Sequence, residues 1–257
     1  MDPLDNPVWD ALHGPQRPVA EVGELAARYV RGVSQFGAFP ETPEPRHWAA
    51  MAELVGPGGL VSLTGPTDSP PEDWNVEYEG TGVQMTGVAL TDTPAEVAAR
   101  RPDVEIVPLA GPEAQAMVDL VDLVRPGPFS RRTWELGGYV GVLRDGELVA
   151  MAGQRFRPTG WCEISAVATH PDHRRQGLGE LLVRAVVAGI VARGEKPLLH
   201  AAESNTGAIR LYETMGFTLR ARVRFMGVRA PGDRAERGAP TEPPRHSSIG
   251  HSSIGHS

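Results

Sequence analysis

The chain has 257 residues, enough for one large domain or two small ones with an ample core. Its formal net charge of −7 argues against a general nucleic-acid binder. Cys162 is the only cysteine, which excludes an internal disulfide and fits a cytoplasmic setting. No signal-peptide core and no apolar run of ~18 residues occurs, so no membrane partner is expected.

Residues 1–22 are proline-rich and irregular. Leu25, Tyr29 and Val33 are spaced by four, which predicts a helix over Val22 to Val33. His47 to Val55 reads as a second helix, stopped by Gly56-Pro57-Gly58-Gly59. Leu60 to Leu63 and Val83 to Leu90 read as strands, separated by the turn-rich Gly65 to Pro71, and Pro94 to Arg100 as a short helix.

Val104 to Leu109 predicts a strand opening a second unit. Glu113 to Val124 is amphipathic, with Met117, Leu120, Val121 and Val124 on one face. Pro126-Gly127-Pro128 ends it, and Phe129 to Leu136 is read as another helix. Asp145-Gly146 between two apolar runs, Tyr139 to Leu143 and Glu147 to Gly153, is a hairpin signal. Strand 162–169, helix 178–193, strand 197–202, helix 205–215 and strand 217–226 follow. In the last, Arg220, Arg222 and Arg224 alternate with apolar residues and read as a solvated face that discourages edge pairing. The tail repeats His-Ser-Ser-Ile-Gly from His246, a low-complexity run that cannot bury enough apolar surface to fold.

The most informative stretch is Arg174-Arg175-Gln176-Gly177-Leu178-Gly179. A strand-like run, Glu163 to Thr169, precedes it, and a long apolar helix follows. The first amides of a helix have no intrahelical partner, and the helix dipole adds partial positive charge, so such a start attracts an anion. Gly177 and Gly179 lack Cβ and let a phosphate approach the backbone. Arginine meets phosphate with two parallel hydrogen bonds.

These residues, with Leu198 to Asn205 and Ala208 to Phe217, resemble the acyl-CoA-binding motifs of the GNAT N-acyltransferase superfamily, and the FR47-like branch most of all, which is similar to glycine N-acyltransferases. The resemblance covers roughly residues 104–228. It implies an α/β (α+β) GNAT fold: a mixed, mostly antiparallel sheet with helices on both faces, whose parallel strands 162–169 and 197–202 splay where the acyl-CoA enters. The expected organisation is a smaller N-terminal companion region at 1–102, the GNAT domain at 103–230 and a disordered tail at 231–257.

The resemblance further implies that Arg174, Arg175, Gln176, Gly177, Leu178, Gly179 and Glu180 hold the pyrophosphate. The backbone of Val167, Ala168 and Thr169 meets the thioester and pantetheine, and Asn205 and Ala208 contact the pantetheine arm. Tyr212 protonates the departing thiolate. Glu163, eleven residues before Arg174, falls where a glutamate base lies in the family's histone acetyltransferases. Plain alternation puts Glu163, Ser165, Val167 and Thr169 on one face. A base matters because a lysine-like amine of pKa ~10.4 is neutral in only about one molecule in ~2,500 at pH 7. Independently of the family, Asn205 reads as a helix cap, Glu163 as a carboxylate pairing an arginine, and Tyr212 as a packed ring.

The implied function is transfer of an acetyl or other acyl group from acetyl-CoA to a small-molecule or peptide amine by direct attack. A non-catalytic acyl-CoA sensor on the same fold is the alternative. The acceptor, the acyl length and a homodimer are left open.

Overall fold

The computed structural model describes residues 2–65 and 69–232, so the His-Ser-Ser-Ile-Gly repeats lie outside the described residues. The chain builds one sheet of eleven strands. In chain order the elements are α1 (Pro7–His13), β1 (Ala20–Val22), β2 (Ala27–Tyr29), β3 (Phe36–Ala38), α2 (Pro45–Val55), β4 (Leu60–Thr64), β5 (Asn75–Thr86) and α3 (Pro94–Arg100). They continue with β6 (Val107–Pro108), α4 (Ala114–Val124), β7 (Val140–Arg144), β8 (Glu147–Gln154), β9 (Trp161–Thr169), α5 (Leu178–Ala192), β10 (Lys196–Ala202), α6 (Thr206–Met215) and β11 (Thr218–Arg229).

The strand order is β1-β2-β3-β4-β11-β5-β10-β9-β8-β7-β6. Two neighbouring pairs, β3 with β4 and β9 with β10, run parallel, and the remaining pairs are antiparallel. β5 lies between β10 and β11, with Leu199 opposite Met85 on one side and Leu219 opposite Met85 on the other. The expected boundary near residue 102 therefore falls within one hydrogen-bonded sheet.

Alternation along β8 separates the two faces. Ala150 and Ala152 pack into the cluster around α5, with Leu178, Leu182, Val186 and Ile190, whereas Met151 packs with Met117, Leu120 and Val121 of α4. α5 is apolar on most sides because α3 covers its outer face while β7 to β10 lie beneath. Asp145 and Gly146 take φ of 51° and 85°, the left-handed pair that a two-residue hairpin of matching twist requires.

Five local expectations are corrected. Residues 1–22, read as irregular, hold α1 and β1, with Pro7 at the start of the helix where its missing N–H costs nothing. The helix read over Val22 to Val33 is instead β1 and β2. Gly23 donates to Ala26 O in the turn between them, and Gly32 has φ of 86°, which ends any helical run. Sheet extension overrides the spacing of four. The strand read over Val104 to Leu109 pairs only at Val107 and Pro108, on the sheet edge where a proline lacking N–H is tolerated. The helix read over Phe129 to Leu136 is a single 3-10 turn at Thr133–Leu136, squeezed between Pro128 and Gly137. Finally, β11 is internal. Its arginines are ion-paired, Arg220 with Asp2 and Asp5, Arg222 with Glu203 and Arg224 with Glu79, and do not guard an edge.

Among the described residues no helix is long and apolar enough to cross a membrane. The central position of β5 gives a test. Met85 is 1 % exposed, and Met85→Ala should destabilise the protein by about 2–5 kcal/mol. Denaturant unfolding should show one transition moved to a lower midpoint. Two separated transitions, with that of the 103–230 stretch unmoved, would contradict a single cooperative sheet.

Candidate active site

Parallel pairing of β9 with β10 stops at Ile164 opposite Leu199. Beyond it β9 remains paired with β8, and β10 with β5. The two strands therefore part, leaving a gap in the ladder. Just past that point β9 carries a bulge. Gly153 faces Ser165 and Met151 faces Ala168, so Ala166 and Val167 together oppose Ala152. Ala166 has φ of 52°, unusual for a residue with a Cβ.

The bulge reverses the alternation expected for β9. Cys162 and Ile164 lie in the α5 cluster, but Ala166 and Ala168 pack on the α4 side, and Val167 returns to α5. Glu163 and Val167 are thus on opposite faces. Val167 and Thr169 adjoin the start of α5: a Cβ at Gly179 would lie 3.8 Å from Thr169 Oγ1 and 4.0 Å from Val167 Cγ1.

The 174–180 turn has the form its glycines require. Arg175 and Gly177 take φ of 61° and 76°. The first helical bond runs from Leu181 N to Gly177 O, so the Leu178, Gly179 and Glu180 amides precede the ladder and are free to meet an anion. Leu178 itself is buried and anchors the helix. Arg174 Nε lies 3.5 Å from Thr169 O. A contribution absent from the motif comes from Arg101, which donates to Gln176 O at 2.8 Å while its other nitrogens hold Asp103. Arg100, Arg101, Gly177, Glu180, Leu181 and Arg184 line a cavity of about 230 Å³ at this end. His170 Nδ1 accepts from Asp172 N, a turn cap.

On the other side of the gap, Asn205 caps α6, its Oδ1 accepting from Ala208 N at 3.2 Å. That leaves the Asn205 amide nitrogen for another partner. Tyr212 is nearly buried and meets Phe217 edge-on at 5.9 Å. Burial pushes its phenol up to about 12. Among the described residues its hydroxyl has no hydrogen-bond partner.

Glu163 departs most from expectation. It is 0 % exposed. Arg155 grips it with two bonds, Nε to Oε2 at 2.8 Å and Nη2 to Oε1 at 2.6 Å; His200 Nδ1 is 2.7 Å from Oε1, and Phe156 N donates to Oε2 at 3.2 Å. Burial alone would raise its pKa, but Arg155 and then His200 overcome this and hold the carboxyl at about 2. The structure thus places Glu163 in the arginine pairing that the sequence also allowed for it. The network runs on through His200 Nε2 to Gln84 at 3.1 Å, and from Gln84 to Arg220 at 2.9 Å. Spacing alone could not have found Arg155 and His200, because they lie 8 and 37 residues away, Arg155 just past the end of β8 and His200 on β10.

A small cleft of about 10 Å³, room for about one water, backs onto the bulge. Phe129, Thr133, Tyr139, Arg155, Ser165 and Ala166 are among its walls, and no carboxylate is. Arg155 is also stacked on Phe156 at 4.4 Å and Phe36 at 4.7 Å, which fixes its guanidinium in place. Cys162 is buried with its thiol pushed up to about 12 by desolvation, so it is inert. No cluster of three metal-ligating side chains occurs among the described residues.

Comparison with known proteins agrees with this geometry. The family described as FR47-like protein matches residues 139–226. A crystal structure from Novosphingobium aromaticivorans, described as an acetyltransferase from the GNAT family, is 34% identical with a TM-score of 0.78, over 89% of this chain and 98% of that one. The mycothiol acetyltransferase of Thermobispora bispora is 42% identical over 57 residues, 22% of this chain and 19% of that protein. The ribosomal protein bS18-alanine N-acetyltransferase of Escherichia coli is 42% identical over 52 residues, 20% of this chain and 35% of that protein. The match thus spans well under half the length of these two curated relatives. The extent of the likeness to the Novosphingobium protein, together with the intact 174–180 turn, shows that the chain belongs to the GNAT acetyltransferase family, in its FR47-like branch.

Proposed function

We propose that this protein transfers an acetyl group from acetyl-CoA directly to an amine of lowered pKa, such as an α-amine, of which an appreciable fraction is neutral near pH 7. The observation that carries this reading is the junction of the parted strands, the bulge at Ala166 and the free amides at 178–180. The pyrophosphate would lie on Leu178, Gly179 and Glu180, with Arg174, Arg175 and Arg101 alongside. The pantetheine arm would run through the gap between β9 and β10, meeting the main chain of Val167, Ala168 and Thr169 on one side and the Asn205 amide and the Ala208 region on the other. The Val167 amide, displaced by the bulge, is the candidate donor to the thioester oxygen.

The amine would approach the thioester from the side of Ser165 and Ala166, where the small cleft has room for about one water. Its attack on the thioester carbon forms the amide bond and breaks the carbon–sulfur bond. The amine proton leaves through water, since no carboxylate lines the cleft among the described residues. An α-amine near pKa ~8 is about a tenth neutral at pH 7 and needs no strong base. Tyr212, still protonated at neutral pH with a phenol near 12, would supply the proton to sulfur. Against a free thiol near ~8.5, that transfer is uphill by about 5 kcal/mol, so the thiolate must be desolvated too. Glu163 would position Arg155 and hold the wall of the cleft.

The loop assignment predicts that Gly177→Glu abolishes acetyl-CoA binding while the fold persists, because the new carboxylate takes the place of a phosphate. Calorimetry giving wild-type affinity in the folded variant would refute it. For Tyr212→Phe, kcat should fall ~10²–10⁴-fold with acetyl-CoA affinity nearly unchanged. An unaltered kcat, with chemistry rate-limiting, returns Tyr212 to packing.

Glu163→Gln should lower stability at neutral pH by about 3–5 kcal/mol, since it leaves Arg155 buried without its counter-charge. The folded carboxyl titrates at about 2, below its unfolded value near ~4.3, so its contribution is complete above ~4.3 and is lost as pH falls towards 2. Denaturant unfolding across pH 2–7 should show the two proteins converge at the acid end. In kcat/KM against pH, the variant should lose rate by a constant factor; a loss that disappears at high pH would instead make Glu163 the base.

A further inference from the structure

A second cavity, of about 320 Å³, lies on the N-terminal part of the sheet, away from the 174–180 turn. Arg28, Arg31 and Arg229 line it with Ser34, Gln35 and Ser130, and no carboxylate does. The arginines are preset by main-chain carbonyls, three at or just past the end of α2 and one on β2. Arg28 donates to Tyr29 O at 2.9 Å and Leu54 O at 3.3 Å, Arg31 to Val55 O at 2.9 Å, and Arg229 to Gly58 O at 2.9 Å.

Capping α2 accounts for only part of this charge. A helix C-terminus offers roughly half a negative charge. Glu21 lies 3.5 Å from Arg28, and Glu77 2.7 Å from Arg229, both from outside the cavity wall. Arg31 has no carboxylate within ion-pair distance among the described residues, and only one of its nitrogens has a recorded partner. Arg28 is 6 % exposed; burial lowers its pKa from its usual value, the Glu21 carboxylate works against that, and the like charge of Arg31 adds to the lowering. Guanidiniums lining one cavity repel one another unless anions offset them, and the two glutamates here are paired with Arg28 and Arg229 only. Their fork geometry suits carboxylate or phosphate oxygens. The volume is at the lower end of the range for small-ligand sites.

We propose that this cavity is a binding site for a small carboxylate- or phosphate-bearing anion, separate from the acyl-CoA site. The 126–133 segment is a wall of both this cavity, through Ser130, and the cleft at the bulge, through Phe129 and Thr133. Thr133 Oγ1 also donates to Val33 O at 2.8 Å, beside Ser34 of the arginine cavity. An anion here is thus in contact with the segment that shapes the proposed acceptor entrance.

The test is calorimetric titration with inorganic phosphate and with succinate, at constant ionic strength against chloride. Wild type should bind at least one probe above the chloride background, and the two probes report which oxygen chemistry is preferred. Arg31→Gln should weaken that binding at least tenfold; the residue is exposed, so the fold should survive, as circular dichroism will check. Arg31→Lys, which keeps the charge but loses the fork, should weaken it by less. Gly177→Glu should leave the Arg31-dependent binding unchanged, which separates this cavity from the phosphate-binding turn. No binding of either probe to wild type, or binding lost in Gly177→Glu but kept in Arg31→Gln, would overturn the proposal.

Discussion

The parting of β9 and β10 after Ile164 and Leu199 is the constraint on which the site depends. A parallel ladder that continued would satisfy every amide and leave no room for a ligand. Once it stops, strand polar groups near the gap need other partners. β8 and β5 hold the outer sides of the two strands, and the bulge at Ala166 turns the inner side of β9 towards the opening. The α5 start and the Asn205 cap then sit at successive points along the gap. Ligand sites beyond the ends of parallel strands follow from the same loss of pairing in other α/β sheets.

The buried Arg155–Glu163–His200 set lies at the root of this gap. Three ionisable side chains in an apolar surround are expensive to desolvate, and such sets are retained more for geometry than for stability. Here the geometry is plain. Arg155 comes from the β8 side, Glu163 from β9 and His200 from β10, so the set ties together the strands that diverge just beyond it. The extension through Gln84 to Arg220 adds β5 and β11. One polar chain therefore crosses five strands at the level where the hydrogen-bond ladder is interrupted.

Much of this was legible in the residues themselves. The Asp145-Gly146 hairpin, the apolar α5 and the Asn205 cap each follow from local chemistry, and the structure has them. The 174–180 turn was legible because glycine and arginine spacing there records a requirement of the backbone. The bulge at Ala166 was not, since alanine carries no signal for a positive φ. Nor were the partners of Glu163, which are set by strand order. The insertion of β5 between β10 and β11 is a long-range choice that no local pattern encodes, and the short β1 and β2 owe their form to neighbours supplied by the rest of the sheet.

That insertion has a consequence for how the chain is made. β5 ends at Thr86, and its first partner in β10 begins at Lys196, so about 110 residues must be synthesised before either of its edges can pair. At roughly 5–20 residues per second, β5 leaves the ribosome some 5–20 s ahead of the strands that will flank it. A strand with two open edges is an invitation to pair with another chain. The exposed half of β5 carries Glu77 and Glu79 between Val76, Tyr78 and Gly80, and in the finished protein these glutamates pair with Arg229 and Arg224 of β11. Like charges at Glu77 and Glu79 disfavour edge-to-edge pairing of two copies of β5, and Arg229 and Arg224 of β11 supply the opposite charges in the folded sheet.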